Sequence, residues 1–570
     1  MRAPLRLLRP VVILVIAGRS LLPGTAAAAP SGTNNVTFNR EVAPILFQQC
    51  AVCHRPGQAG PFALLSFADA KKHAAEIVRV TGRRYMPPWL PEAGFGDFAG
   101  ERRLTPEQIG ILQRWVEQGA VEGNPGDLPP LPKWQEGWHL GAPDLIVTLP
   151  EAYRLGAEGT DLYRNFVVPI PGETRRYVRA IEFHPGNKSV HHVRLLVDGT
   201  RQSRRLDRQD GEPGFGGMNP PASFPPGHLL TWTPGAVPSP EPPGLPWVLE
   251  PGTDLVLQIH MQRTGKPEEL KPVTGIYFTN QPPSETAYLL GLISQVIDIP
   301  AGEKNHVVER SFVLPAAVQV ISIMPHAHYL GKTVDGFATL PDGTRRWLIR
   351  IPDWDFNWQG QYHYATPVPL PKGATITMEI SYDNSADNPR NPHRPPQRVG
   401  YGPQSTDEMG ELWLQVVPVN PGDLSLLAKE YQRWGLAETV TFFENRLRTN
   451  PENAAAHNEL GKALGPLGRE EEAFQQFQTA ARLDPALSEP HYYLGMMLLN
   501  QGRLPEASIE FTEAIRLRPD YGRAHDGLGL SMMGMGKPDV AETHFKEALR
   551  INPSDAIARA KLSELGEEKK

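Results

Sequence analysis

The feature that most constrains this chain is a period of 34 residues running through its C-terminal part. Pro451, Pro485, Pro519 and Pro553 fall in register, and so do Gly461, Gly495 and Gly529. Leu460, Leu494 and Leu528 repeat with them, as do Ala473, Ala507 and Ala541, and Phe477, Phe511 and Phe545. A unit this short cannot bury its own apolar face, so it must stack on copies of itself. Small Gly and Ala residues let paired helices approach, and the prolines end each unit.

This L-G…A…F…A…P pattern resembles tetratricopeptide repeats. The repeat tail is placed at 423–570, with three clear copies and a degenerate one at about 424–450. Such a stack presents a concave groove for a protein partner. His457, His491 and His525 share the same period. They occupy the position where the repeat packs an aromatic, so they are expected to pack rather than to form a metal ladder.

The chain has 570 residues, enough for three to five domains at roughly 100–200 residues each. A net charge of −6 gives nucleic-acid binding no electrostatic support, so no nucleic-acid partner is expected. Residues 1–29 read as a secretory signal peptide. Arg2, Arg6 and Arg9 precede the short apolar run 11–17, and Thr25-Ala26-Ala27-Ala28-Ala29 provides a small-residue exit. Arg19 and Pro23 make the stretch too short to span a bilayer comfortably, an uncleaved membrane anchor being the alternative. The expected location is periplasmic or secreted.

Only two cysteines occur, Cys50 and Cys53, in Cys50-Ala-Val-Cys53-His54. A disulfide scaffold is excluded, and the C-x-x-C-H pattern points to covalent attachment of one haem c. Two thiols one helical turn apart can add to the haem vinyl groups, with His54 then under the iron. A zinc half-site would need further soft ligands, and no other cysteine exists; a redox dithiol would not require the histidine. Met86, in Tyr85-Met86-Pro87-Pro88-Trp89, is the candidate sixth ligand, and Met/His ligation suits electron transfer. His73, in the helix-like stretch 68–80, is the alternative and is read as a surface residue. Thr105-Pro106-Glu107-Gln108 is a capping box, Ile109, Leu112 and Val116 line one helical face, and Gly119 ends the helix. This resembles the closing helix of a small cytochrome c. The haem domain is set at 36–125 and a Pro/Gly-rich linker at 126–138.

Between 139 and 422 helical periodicity gives way to short alternating segments such as Tyr177–Phe183, Asp254–Met261, Val318–Met324 and Thr375–Tyr382. Fifty-nine prolines and 53 glycines help to punctuate them. The pattern is that of antiparallel sandwiches or jelly rolls. A break at 281–286 divides the region into 139–284 and 285–422. His326 and His328 stand two apart and can share a strand face. Adjacent His191 and His192 would point to opposite faces unless the backbone twists or one of them uses Nδ1. His260 ends the strand Leu255-Val256-Leu257-Gln258-Ile259. Imidazole and thioether ligands without carboxylates favour copper over magnesium or calcium. Each histidine alone is more often a satisfied core residue; His184, His228, His306, His363 and His393 are read as surface or loop residues.

Four ordered segments resemble the copper-dependent, ascorbate-linked monooxygenases represented by peptidylglycine hydroxylase and dopamine β-hydroxylase. His191-His192 is similar to the family's His-His segment, and Leu257-Gln258-Ile259-His260 to its L-Q-x-H strand. His326-Ala327-His328-Tyr329-Leu330-Gly331-Lys332 is similar to H-x-H-x-L-G-K, and Ser405-Thr406-Asp407-Glu408-Met409 to S-x-D-E-M. The resemblance covers almost half of the chain. It implies two β-sandwiches facing each other across a cleft, with two copper ions, one held by His191, His192 and His260 and the other by His326, His328 and Met409. It implies that O2 is handled at the second site to hydroxylate a substrate C–H bond, the first site supplying the second electron, with Gln258 supporting the ligands. Where the peptide-hydroxylating branch holds a carboxylate with arginine and tyrosine, this chain has Met324 and Trp413. A more apolar or aromatic small-molecule substrate is therefore expected.

The expected architecture is multidomain: an all-α cytochrome c-like domain, two all-β sandwich or jelly-roll copper domains and an α-helical repeat solenoid. The expected function is an exported copper monooxygenase (an oxidoreductase), with electrons coming from an ascorbate-like reductant or from a periplasmic electron donor through the haem. The alternative is a non-catalytic periplasmic electron-transfer or copper-binding protein that docks a partner through its repeats.

Overall fold

The computed structural model describes residues 35–568, apart from 57, 59, 134–136, 553 and 554. The segment read as a signal peptide lies outside the described residues. No helix among the described residues is long and apolar enough to cross a membrane.

The chain forms two compact units. The first takes the chain up to Pro56, Phe62–Arg83 and Leu104–Pro132. It is helical. A π-helical turn, Phe38–Val42, runs into Ala43–Gln49, followed by Phe67–Lys72, Ala74–Gly82 and Pro106–Glu117. The last helix starts as its sequence dictates: Thr105 Oγ1 accepts from the Gln108 amide and Gln108 Oε1 accepts from the Thr105 amide. Leu112 and Trp115 are its fully buried residues, packed with Phe38 and Leu46, while Ile109 and Val116 are only partly buried. The expected helix over 68–80 is broken at His73 into two pieces.

The second unit takes Gly57–Pro61, Arg84–Arg103 and the chain from Lys133 onward. Residues 84–103 thus group with the β region and not with the N-terminal helices. Their aromatic side chains find partners on the β region instead. Phe98 bridges to Tyr364 and joins the core around Leu290 and Tyr362, Trp89 meets Tyr362 at 5.3 Å, and Phe95 meets Trp347 at 5.0 Å.

The middle region is β-rich and antiparallel. A five-stranded sheet runs Phe215–Gly216, Leu162–Pro169, Asp254–Met261, Val190–Asp198, Thr231–Trp232. A four-stranded one runs Leu145–Thr148, Val273–Thr279, Arg176–His184, Trp247–Leu249. Both contribute to one core around Val178, Val193, Leu257 and Ile276. Two further four-stranded sheets share a second core that includes Leu290, Ile323, Val334, Ile349 and Leu412. One runs Tyr288–Ile293, Gly410–Pro418, Val318–Ala327, Tyr362–Leu370, and the other His306–Val313, Thr375–Tyr382, Gly331–Thr339, Arg345–Ile351. The strand Asp254–Met261 is buried along its whole length. Leu255, Leu257, Ile259 and Met261 enter the core, so Gln258 and His260 occupy the opposite, also covered, face.

The C-terminal region is helical. Instead of a degenerate repeat over 424–450, one 26-residue helix, Leu424–Thr449, runs unbroken. Its first turns belong to the second β core: Leu427 is buried there, and Tyr431 Oη donates to the Gly291 carbonyl at 2.9 Å. Paired helices follow from Ala454 to Glu568. The repeated glycines have a steric reason. A Cβ at Gly461 would stand 2.8 Å from the Phe477 ring, one at Gly495 2.8 Å from Phe511, and one at Gly529 2.7 Å from Phe545.

Candidate metal centre

His192 pairs with His260 across neighbouring strands and Val190 pairs with Met261, so His191 is an extra residue in the ladder. Such a bulge re-aims a side chain that would otherwise face away, which is how adjacent histidines reach one place. One ligand nitrogen from each of His191, His192 and His260 lies within 4.8 Å of the other two. The ring centroids are 5.3 Å apart for His191–His192, 5.2 Å for His191–His260 and 4.8 Å for His192–His260.

Polar partners orient this group. Asp161 sits 3.1 Å from His260 Nε2, leaving the buried Nδ1 without a partner. Burial opposes ionisation of Asp161, yet hydrogen bonds from His260 and Ser405 hold its carboxyl below the ordinary value. Tyr163 stacks on the His260 ring at 4.2 Å. His191 Nε2 is likewise buried and unpartnered. Burial, then the charge of His260, lowers the His191 pKa to about 3, and burial drives His192 well below the ordinary value. Both imidazoles are therefore neutral near pH 7, the state a metal requires.

The second group lies where Val318–Ala327 ends. His326 is paired with Glu411 inside the strand, His328 follows just beyond it, and the rings stand 5.2 Å apart. His328 Nδ1 donates to the Asp407 carbonyl at 3.0 Å, leaving a buried, unpartnered Nε2. Burial lowers the pKa of both histidines. Glu408 ties the H-x-H turn to the Met409 segment, accepting the amides of His328 at 2.9 Å, Leu330 at 2.6 Å and Met409 at 3.2 Å. Met409 is buried, and its carbonyl accepts from Tyr382 Oη.

The two groups meet. The His192 ring is 5.9 Å from His326, where the resemblance implied a cleft. Phe356 packs among them, 4.3 Å from His191 and 5.3 Å from His328. Gln359 Oε1 accepts from His326 Nδ1 at 2.5 Å, and its Nε2 reaches 3.5 Å from His192 Nδ1. A cavity of about 20 Å³ opens there between His192, Arg194, Met324, His326 and Gln359. Gln258, expected to support the ligands, donates through its amide to Asn165 and to the Met218 carbonyl. Asp161, Tyr163, Phe356 and Gln359 carry no local sequence signal; Glu408 sat within a recognised motif, but its structural task did not show. Of the histidines read as surface residues, His228 is buried, 3.2 Å from Glu241.

In the helical unit the C-x-x-C-H segment closes one turn, the amides of Cys53 and His54 both donating to the Cys50 carbonyl. The two thiols are not joined in a disulfide. Burial, then the neighbouring Cys53, pushes the Cys50 thiol up to about 12. His54 Nδ1 donates to the Phe62 carbonyl at 3.1 Å, which fixes the ring and leaves Nε2 available. His73, read as a surface residue, is half-buried and stacks on Phe62 at 3.7 Å. Met86 lies outside this unit, in the segment built onto the second β core.

The repeat histidines reach across to the next helix. His457 meets Gln476 at 2.6 Å, His491 meets Glu510 at 2.7 Å, and His525 meets His544 at 3.1 Å. They latch helix pairs together.

Comparison with known proteins identifies the C-terminal region. Residues 443–488 match the tetratricopeptide repeat family, so the chain carries such repeats near its C-terminus. Repeats of this kind commonly bind protein partners. Solved structures similar to part of the chain include MamA, at 23% identity over 25% of this chain and 82% of that one, with a TM-score of 0.23. The TPR domain of Arabidopsis OM64 matches at 18% identity over 20% of this chain and 94% of that one, with a TM-score of 0.20. PilF of Pseudomonas aeruginosa matches at 24% identity over 24% of this chain and 63% of that one, with a TM-score of 0.23. No curated protein matches the sequence.

Proposed function

We propose that this protein is an exported, copper-dependent monooxygenase that hydroxylates a C–H bond with O2 and carries its own haem c. The observation that supports this most is the convergence of five histidines, with unpartnered buried nitrogens on His191, His260 and His328. Buried polar atoms are rarely left unsatisfied, and three aimed into histidine clusters fit a metal. All-imidazole and thioether donors suit copper, which would supply one-electron chemistry toward O2.

His191, His192 and His260 would hold one ion, and His326, His328 and Met409 the other. Asp161 and the Asp407 carbonyl orient His260 and His328 through one ring nitrogen each, which would leave the other for the metal. Burial keeps the imidazoles deprotonated. Met324 and Trp413, paired across neighbouring strands, make an apolar wall that suits an apolar or aromatic substrate. In the helical unit, Cys50 and Cys53 would anchor haem and His54 would ligate its iron. The haem would pass electrons from a periplasmic donor, and the repeat groove would hold a protein partner.

The test is metal and haem analysis of the purified chain with a screen for O2-dependent hydroxylated products. Two copper ions and one haem per chain are expected, with product formation lost in His326→Ala and Met409→Ala. Zinc or no metal would overturn the reading. Copper and haem without product from any substrate class would favour the non-catalytic electron-transfer alternative.

A further inference from the structure

We infer that His525 and His544, in the third clear copy of the repeat, form a binding site for a divalent transition-metal ion of the zinc or nickel class. This site stands apart from the histidines of the β region and is independent of the copper reading above. The 34-residue period places an equivalent pair in each copy. His457 faces Gln476 and His491 faces Glu510, each through Nδ1. In the third copy the partner is also a histidine, and the two Nδ1 atoms stand 3.1 Å apart.

The tautomer of His525 follows from what lies behind its ring. Its Nε2 is 3.2 Å from the Pro519 carbonyl, which can only accept. In the neutral ring the hydrogen is therefore on Nε2, and Nδ1 presents a bare lone pair to His544. A backbone carbonyl on the far nitrogen is also what fixes the ring of a metal-binding histidine. Zinc–imidazole bonds are about 2.0–2.1 Å long, so two nitrogens on one ion stand about 2.9 Å apart at a right angle and about 3.3 Å apart at the tetrahedral angle. The observed 3.1 Å falls between these, so the rings are already spaced for chelation. His525 is buried and His544 half-buried, which leaves one ring firmly packed and the other within reach of solvent. Glu547, three residues after His544 on the same helix face, puts a carboxylate close enough to act electrostatically on both rings. Imidazole donors select zinc, nickel or copper over magnesium and calcium. Water would fill the remaining coordination positions.

Equilibrium dialysis of the full chain against saturating Zn2+ tests this, with zinc content compared between variants so that ions held by the β region cancel. His544→Gln gives the third copy the residue pair of the first, which keeps the contact between helices. It is expected to hold its metal-free melting temperature and to bind one ion fewer per chain. Gln476→His, which gives the first copy the pair of the third, is expected to bind one ion more. Zinc is expected to raise the melting temperature of the unaltered chain by more than that of His544→Gln. Equal zinc content in the unaltered chain and His544→Gln would overturn the inference and leave the 3.1 Å contact as an ordinary hydrogen bond between two rings.

Discussion

Glu408 shows how much one side chain decides here. It is fully buried, and burial raises its pKa to about 8 although backbone amides of His328, Leu330 and Met409 pull the other way. Between its unfolded value of 4.5 and about 8 the folded chain keeps a proton that the unfolded chain releases, so stability falls as pH rises through that window. His191 behaves oppositely. Its folded pKa of about 3 lies below 6.5, so the unfolded chain takes up a proton first and stability falls as pH drops from 6.5. Each such linked proton changes stability by up to about 1.4 kcal/mol per pH unit. Between pH 4.5 and 6.5 these two slopes cancel, and His192 and His328, also lowered by burial, tip the balance, so the metal-free protein is expected to be most stable near pH 6.5, measured as the urea midpoint across pH. Glu408→Gln should remove the alkaline limb and cost about 1–3 kcal/mol, because the amide cannot accept on both sides. The histidines of this site were legible from residue type and spacing. Asp161, Tyr163 and Gln359 were not, because each reaches the site from a segment whose local pattern says nothing about histidine.

At the scale of elements, periodicity told most where packing repeats. The strand Asp254–Met261 has the limits its alternation suggests, and the helix after Thr105 starts at its capping box. The bulge at His191 could not be read, since it depends on which residue of the neighbouring strand pairs with His192. The repeat glycines permit a paired test. Gly495→Ala places a Cβ 2.8 Å from the Phe511 ring and should destabilise the repeats by about 1–3 kcal/mol. Gly435→Ala, in the middle of Leu424–Thr449 with no atom within 4 Å of its Cβ, should stabilise by about 0.5–1 kcal/mol. Thermal melts of the two variants should move in opposite directions. The long helix was mistaken for a repeat because its apolar residues serve two neighbours: Leu427 and Tyr431 the β core, Val440 and Phe443 the next helices.

For the whole molecule, the proposed haem and copper sites would make separable demands. Cys50→Ala with Cys53→Ala is expected to abolish haem that survives denaturing electrophoresis while leaving copper content unchanged, since the thiols and the histidine groups belong to different compact units. Loss of both metals together would count against that division. The sequence by itself determined the repeat stack, the β-rich middle and the identity of the candidate ligands, because periodicity and residue chemistry are local properties. Only the tertiary structure decided that residues 84–103 join the second β core, taking Met86 with them, and that His73 stacks on Phe62. It also decided that the two histidine groups meet at 5.9 Å. Those outcomes depend on which buried faces find each other across long separations in the chain, and no window of sequence contains both partners.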